Sequence, residues 1–256
     1  MTLRTTVVTQ DDPFYVPHFF EAFFDALDDD VVVDRVVCLR PFDERTVDLA
    51  RRMFRFYGPR NFAIRSLQYA YRTVMDGIGD NAFSVATVAA ANDVPVEERN
   101  TVNDDGFVDG LRERDVDVVL SVSAPEIFEV DVLDAPNWGC LNVHTADLPK
   151  YRGMMPTFWA LYHGDDEIGV TVHTMEEELD RGNAVRSDSF PVTADDTLDD
   201  VILEGKRRGG RAAAYALGDV ARDEVTERAL TGESSYFSFP TRAERRELQD
   251  RGRNLL

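Results

Sequence analysis

Two rhythms of apolar positions take turns along this chain, one alternating or continuous as in strands, the other recurring every three to four residues as in helices. Residues 3–9 predict a first strand, and the Gln10-Asp11-Asp12-Pro13 turn follows it. Val16, Phe19, Phe20, Phe23, Phe24 and Leu27 then recur at helical spacing, which predicts a helix with a wide aromatic face. Residues 31–39 are rich in β-branched residues, with valine at five of nine positions, as expected of a strand covered on both faces in a parallel sheet. Helices are expected over residues 44–57 and 61–75, parted by Gly58-Pro59, then a strand over 83–91, a helix over 105–113 and a strand over 116–122. The latter ends at Ser123-Ala124-Pro125. An apolar run through Asn142 and His144 reads as another strand, and beyond it lie a helix over 157–163 and strands over 168–175 and 183–192. A helix over 198–221 is expected to be interrupted at Gly209-Gly210.

This alternation predicts an α/β chain with a doubly wound, mostly parallel sheet. Residues 1–222 are read as one domain and 223–256 as a short C-terminal extension, carrying Tyr236 to Pro240 and a charged helix, that lies over the core or near the substrate entrance. With 256 residues there is room for one sizeable core.

Charge narrows the functional classes. The net charge of -20 is spread in short acidic clusters such as Asp28-Asp29-Asp30 and Glu176-Glu177-Glu178, and all basic residues but Lys150 and Lys206 are arginines. Such a shell suits high salt, where screening relieves self-repulsion. Nucleic acid is disfavoured as a main ligand, since phosphate binding draws on clustered Lys and Arg. No apolar run approaches the roughly 20 residues that span a bilayer, and the first residues lack the apolar core of a secretion signal. No membrane partner and a cytoplasmic location are therefore expected. Cys38 and Cys140 lie in apolar, strand-like surroundings without CxxC spacing and read as buried free thiols. No G-x-G-x-x-G follows the first strand, so a dinucleotide site has no support, and no metal site is expected.

Candidate chemistry gathers between Cys140 and Val185. Asn142 and His144 are two apart on a strand, so both side chains leave one face near its C-terminal end, where open α/β sheets hold ligands. Leu148-Pro149 and Arg152-Gly153 then force an irregular loop that would wall one side of a cleft. Taken singly, Asn142 could be a turn-former, Asp180 a surface turn residue, His173 a structural hydrogen-bonding group and His18 a helix cap. Taken together, N-x-H, L-P-x-Y-R-G, G-x-T-x-H and D-x-G, in that order and spacing, resemble the catalytic segment of the N10-formyltetrahydrofolate-dependent formyltransferases. That family includes methionyl-tRNA, glycinamide ribonucleotide and amino-sugar formyltransferases.

The resemblance implies a Rossmann-like formyltransferase fold, N10-formyltetrahydrofolate as formyl donor, and Asn142, His144 and Asp180 as catalytic residues. Asn142 can donate to a developing oxyanion without titrating. His144 can donate to the same oxygen or carry a proton near neutral pH. Asp180 can orient His144 or accept the proton of the attacking amine. The resemblance further implies a folate pocket from Val122, Ser123, Pro125, Ile127, Glu178 and Leu179, and acceptor contacts from Arg152, Gly153, Met154 and Pro156. Two departures from the family pattern stand out: the Ser-Val-Ser-Ala-Pro-Glu-Ile string, and Thr145-Ala146-Asp147, where Asp147 bears on which amine is accepted. The acidity, and a tail with no β-barrel pattern, favour a small amine such as a nucleotide-linked amino sugar over tRNA. A formyltetrahydrofolate hydrolase, a methionyl-tRNA formyltransferase-like activity and a non-catalytic folate or nucleotide binder are the alternatives; a homodimer is the expected assembly.

Overall fold

A computed structural model describes residues 2–40, 46–79 and 81–256. The chain runs β1 (Leu3–Gln10), α1 (Val16–Ala26), β2 (Val31–Leu39), α2 (Thr46–Met75), α3 (Val85–Ala91), β3 (Val96–Arg99), α4 (Asp105–Glu113), β4 (Val118–Val122), α5 (Val130–Leu133), β5 (Gly139–His144), β6 (Arg152–Gly153), α6 (Pro156–His163), β7 (Glu167–Thr174), β8 (Ala184–Pro191), α7 (Leu198–Ala221), β9 (Tyr236–Phe237) and α8 (Arg242–Asp250). Seven strands form one sheet in the order β3-β2-β1-β4-β5-β7-β8. The pairs from β3 to β5 are parallel, and β7 and β8 add antiparallel at one edge. The expected doubly wound, mostly parallel sheet is therefore the observed one.

Helices cover both faces, so consecutive residues are buried in the central strands: Val7 and Val8 in β1, Val36 and Val37 in β2, and Val118, Val119 and Leu120 in β4. One core joins Phe19, Phe20 and Phe23 of α1 to Leu141 and Val143 of β5 and to Leu217 of α7. The other joins Phe107 and Leu111 of α4 to Val8, Val119 and Cys140. Cys38 and Cys140 are buried and unbridged, and burial pushes both thiols up to about 12, so neither is a thiolate nucleophile at neutral pH.

Two expectations fail. Residues 83–91 do not form a strand. Ser84 caps a helix instead, its hydroxyl accepting from the Thr87 amide, and α3 buries Val85, Val88 and Ala89. A short apolar run serves either structure, and here packing beside α1 decides. The edge strand β3 reads Val-Glu-Glu-Arg, and its charges find distant partners: Glu97 accepts from Arg35 at 2.9 Å, and Glu98 from Arg40 at 3.2 Å. Nor do Gly209 and Gly210 interrupt α7, which is continuous. A Cβ on Gly210 would collide with the Phe19 carbonyl and lie 2.9 Å from the Phe23 nitrogen, so the glycines let α7 seat against α1.

The long α2 is broken where expected, at Gly58 (φ 75°, ψ 171°) before Pro59; its expected first residues, Glu44 and Arg45, lie outside the described residues. The C-terminal extension is stitched to the core. Its β9 pairs parallel with β6, and Leu248 and Leu255 are buried.

Candidate active site

The parallel strands β1, β4 and β5 end together on one edge of the sheet, and the chemistry-bearing residues collect there. Asn142 and His144 project from one face of β5, as their spacing requires. Antiparallel pairing with β7 sets His173 opposite Asn142 and Thr171 opposite His144. Thr171 fixes the chain leaving the strand: its hydroxyl donates to the Ala146 carbonyl at 2.7 Å and accepts from the Leu148 amide at 3.3 Å.

The loop that follows folds back over His144. Leu148-Pro149 is a cis peptide, and Tyr151 and Met155 hold φ of 56° and 55°. Left-handed backbone at two side-chain-bearing residues persists only where the surroundings enforce it. The extension supplies that enforcement: the Tyr151 amide donates to the Ser235 hydroxyl at 2.9 Å, and the Arg152 and Met154 amides donate to the Ser235 and Phe237 carbonyls at 3.0 and 2.9 Å. Gly153, at φ 93°, is obligatory, because a Cβ would run into the Phe237 carbonyl oxygen. Trp159 stacks on Phe237 with centroids 4.5 Å apart and donates from its indole to the Ser238 carbonyl.

This loop sets the protons of the site. The His144 Nε2 lies 2.9 Å from the Tyr151 carbonyl oxygen, which can only accept, so Nε2 carries a hydrogen. Nδ1 then faces Asp180, with 3.6 Å to Oδ1. That is beyond a direct hydrogen bond and is a gap that ligand binding can close. The other Asp180 oxygen accepts from the Gly153 amide at 2.8 Å, and Asp180 itself sits in the left-handed region at φ 54°. Both side chains are nearly enclosed.

His173 is the structural partner expected of it. Its Nδ1 donates to the Thr174 carbonyl at 2.8 Å, and its Nε2 lies 3.1 Å from the Asn142 Nδ2. Burial first, and then the neighbouring His144, push its pKa down to about 4, against the raising effects of the Thr174 carbonyl and Asp180. The ring is thus neutral at pH 7, and Nε2 accepts one N–H of Asn142. The amide orientation follows: one N–H is tied inward and the second is left to donate into the site.

The remaining expected residues divide. Ile127 lines a cleft of about 410 Å³ together with residues 128–131 and Glu177, so Ile127 and Glu177 share one cleft. A larger cleft of about 470 Å³, lined by Cys140, Met175 and Glu177 among others, opens further back on the same strand face, and neither cleft is lined by His144 or Asp180. Val122 is buried, Pro125 half-buried, and Glu178 and Leu179 exposed. Ser123, at φ 52°, accepts from Lys206 Nζ at 2.5 Å. Arg152 is buried, 3.6 Å from Glu178 and 5.8 Å from the Tyr236 ring centroid, and its Nε and Nη1 have no hydrogen-bond partner among the described residues. Met154 is exposed and Pro156 begins α6.

Lys206 was not anticipated, although it is one of only two lysines in the chain. Burial pushes its pKa down while Asp12 raises it, and in the same place burial pushes the Asp12 carboxyl up. Ser235 and the Tyr151 carbonyl carry no sequence signal at all.

Comparison with known proteins shows the family. The profile of the family described as "Formyl transferase" matches residues 73–215, more than half of the chain. The chain belongs to the formyl transferase family. Among curated relatives, a methionyl-tRNA formyltransferase of Agathobacter rectalis is 37% identical over 117 residues, covering 44% of this chain and 36% of that protein. One of Trichormus variabilis is 32% identical over 142 residues, covering 55% of this chain and 42% of that protein. The chain thus matches well under half the length of these relatives. A phosphoribosylglycinamide formyltransferase of Anaplasma phagocytophilum superposes with a TM-score of 0.61 at 18% identity, over 94% of this chain and 100% of that one. An N-formyltransferase of Helicobacter canadensis, solved with folinic acid and dTDP-3-aminofucose, superposes with a TM-score of 0.58 at 16% identity, over 93% of this chain and 71% of that one.

Proposed function

We propose that this protein transfers a formyl group from N10-formyltetrahydrofolate to a primary amine of a small metabolite, of which a nucleotide-linked amino sugar is the best example. The reading rests on the convergence of Asn142, His144 and Asp180 at one point on the C-terminal edge of the sheet, with His144 Nδ1 and Asp180 Oδ1 3.6 Å apart. The donor supplies an activated formyl carbon. Asn142, oriented by His173, donates its free N–H to the formyl oxygen as charge develops there. The new bond joins the acceptor nitrogen to the formyl carbon, and the bond to the folate nitrogen breaks. Asp180, held by the Gly153 amide, takes the proton the acceptor loses, and the Asp180–His144 pair returns one to the departing nitrogen. Loop residues 122–127 and 175–179, of which Ile127 and Glu177 both line the 410 Å³ cleft, hold the pterin. Arg152, Gly153, Met154 and Pro156 border the acceptor.

The test is incubation with N10-formyltetrahydrofolate alone and with a panel of amines that includes aminoacylated tRNA, following tetrahydrofolate and formate. Tetrahydrofolate release that depends on a small amine and falls at least 10²-fold in His144→Ala and Asp180→Ala is the expected outcome. Formate release without an amine would identify a hydrolase, and release confined to the tRNA arm a tRNA-directed enzyme.

A further inference from the structure

The second half of α2 is built inside out. Arg60 at its start is exposed, but the other two charged residues, Arg65 and Arg72, turn inward: Arg65 stands 4.5 Å and Arg72 5.2 Å from the Phe14 ring centroid, and Arg65 bonds the Tyr15 hydroxyl and Asp199. Its outward side carries an apolar stripe among the exposed polar residues Ser66, Gln68 and Thr73. Ile64, Leu67, Tyr71 and Val74 follow one another at spacings of three and four along it and are 37%, 74%, 57% and 70% exposed. Phe54 before the Gly58 break and Ile78 just after the helix extend the patch. Scattered apolar residues are normal on a surface, but a contiguous stripe of this kind marks a contact site.

Its charge setting is equally unusual. Acids outnumber bases 48 to 28 in the chain, yet α2 holds six arginines and one aspartate. Arg51, Arg55 and Arg60 are exposed, and neither Arg55 nor Arg60 has a carboxylate partner among the described residues. Arg51 is paired with Asp48 at 3.0 Å.

We propose that the outer face of α2 docks on an anionic lipid surface, lying in the plane of the headgroups. Exposed arginines beside an aliphatic and aromatic stripe are the combination such a surface takes up, the cations at the headgroups and the apolar side chains below them. No helix among the described residues is long and apolar enough to cross a membrane, so the attachment is peripheral. The acidic remainder of the protein is repelled by the same surface, which leaves α2 as the face presented. A second copy would set one basic strip against another, and RNA would leave Leu67 and Val74 without a partner. The clamp on Phe14 ties the docked helix to the loop after β1, on the edge of the sheet where β5 also ends.

The experiment is co-sedimentation of the full chain with vesicles of phosphatidylglycerol and phosphatidylcholine in equal parts, and with phosphatidylcholine alone. Binding is expected to the anionic vesicles only, weakening about five-fold for each of Arg55→Gln and Arg60→Gln at low salt. Leu67→Asp with Val74→Asp is expected to reduce it at least ten-fold with far-UV circular dichroism and melting unchanged. Absence of lipid-dependent sedimentation overturns the proposal. So does capture of tRNA in place of vesicles, or a dimer that Leu67→Asp disperses while sedimentation with lipid is unaltered.

Discussion

Replacing His173 by the non-titrating glutamine should flatten the pH dependence of stability between pH 6.5 and 4. In the folded protein the ring stays neutral down to about 4, whereas the unfolded chain takes a proton near 6.5. Between those values the unfolded state therefore binds more protons, so stability falls as pH falls through the window and is constant above it. At about 1.4 kcal/mol per pH unit, lowering the pH from 6.5 to 5 costs the native protein about 2 kcal/mol through this residue alone. Urea denaturation at pH 7 and pH 5 measures it, because subtracting the His173→Gln slope from the native slope cancels the carboxylates and the other histidines. A variant with the same slope as the native protein would refute the reasoning: His173 would then titrate normally, its Nε2 would be a donor below 6.5, and the assigned orientation of the Asn142 amide would be lost with it.

Three further outcomes are expected. Asn142→Ala should lower the rate of amine-dependent tetrahydrofolate release by about 10²- to 10³-fold, with little change in melting temperature, because it removes an oxyanion donor. Gly153→Val should unfasten the extension, since its Cβ meets the Phe237 carbonyl; a loss of about 2–4 kcal/mol in chemical denaturation and new protease sensitivity around residues 232–240 are the readouts. Arg65→Ala breaks the buried pair with Asp199 and one half of the clamp on Phe14, and should cost roughly 3 kcal/mol by the same measurement.

Local patterns determined a large share of this protein. The aromatic face of α1, the valine-rich sequence of β2, the break at Gly58 and the two-residue spacing of Asn142 and His144 are consequences of neighbouring residues, and each was legible as such. The motif intervals were legible for the same reason: strand periodicity puts Asn142 and His144 on one face, and Gly182 must follow the turn at Asp180 because a Cβ would collide with the Thr174 carbonyl. The structure alone decided what depends on residues distant in the chain. Whether residues 83–91 became a strand or a helix turned on α1 beside them, and a strand as charged as β3 exists because Arg35 and Arg40 meet its glutamates. The Tyr151 carbonyl that sets the His144 tautomer is placed by Ser235, 84 positions away. The face that α2 turns outward was likewise hidden, since its sequence offers arginines and apolar residues alike, and only the inward pull of Phe14 and Asp199 determines which of them meet the solvent.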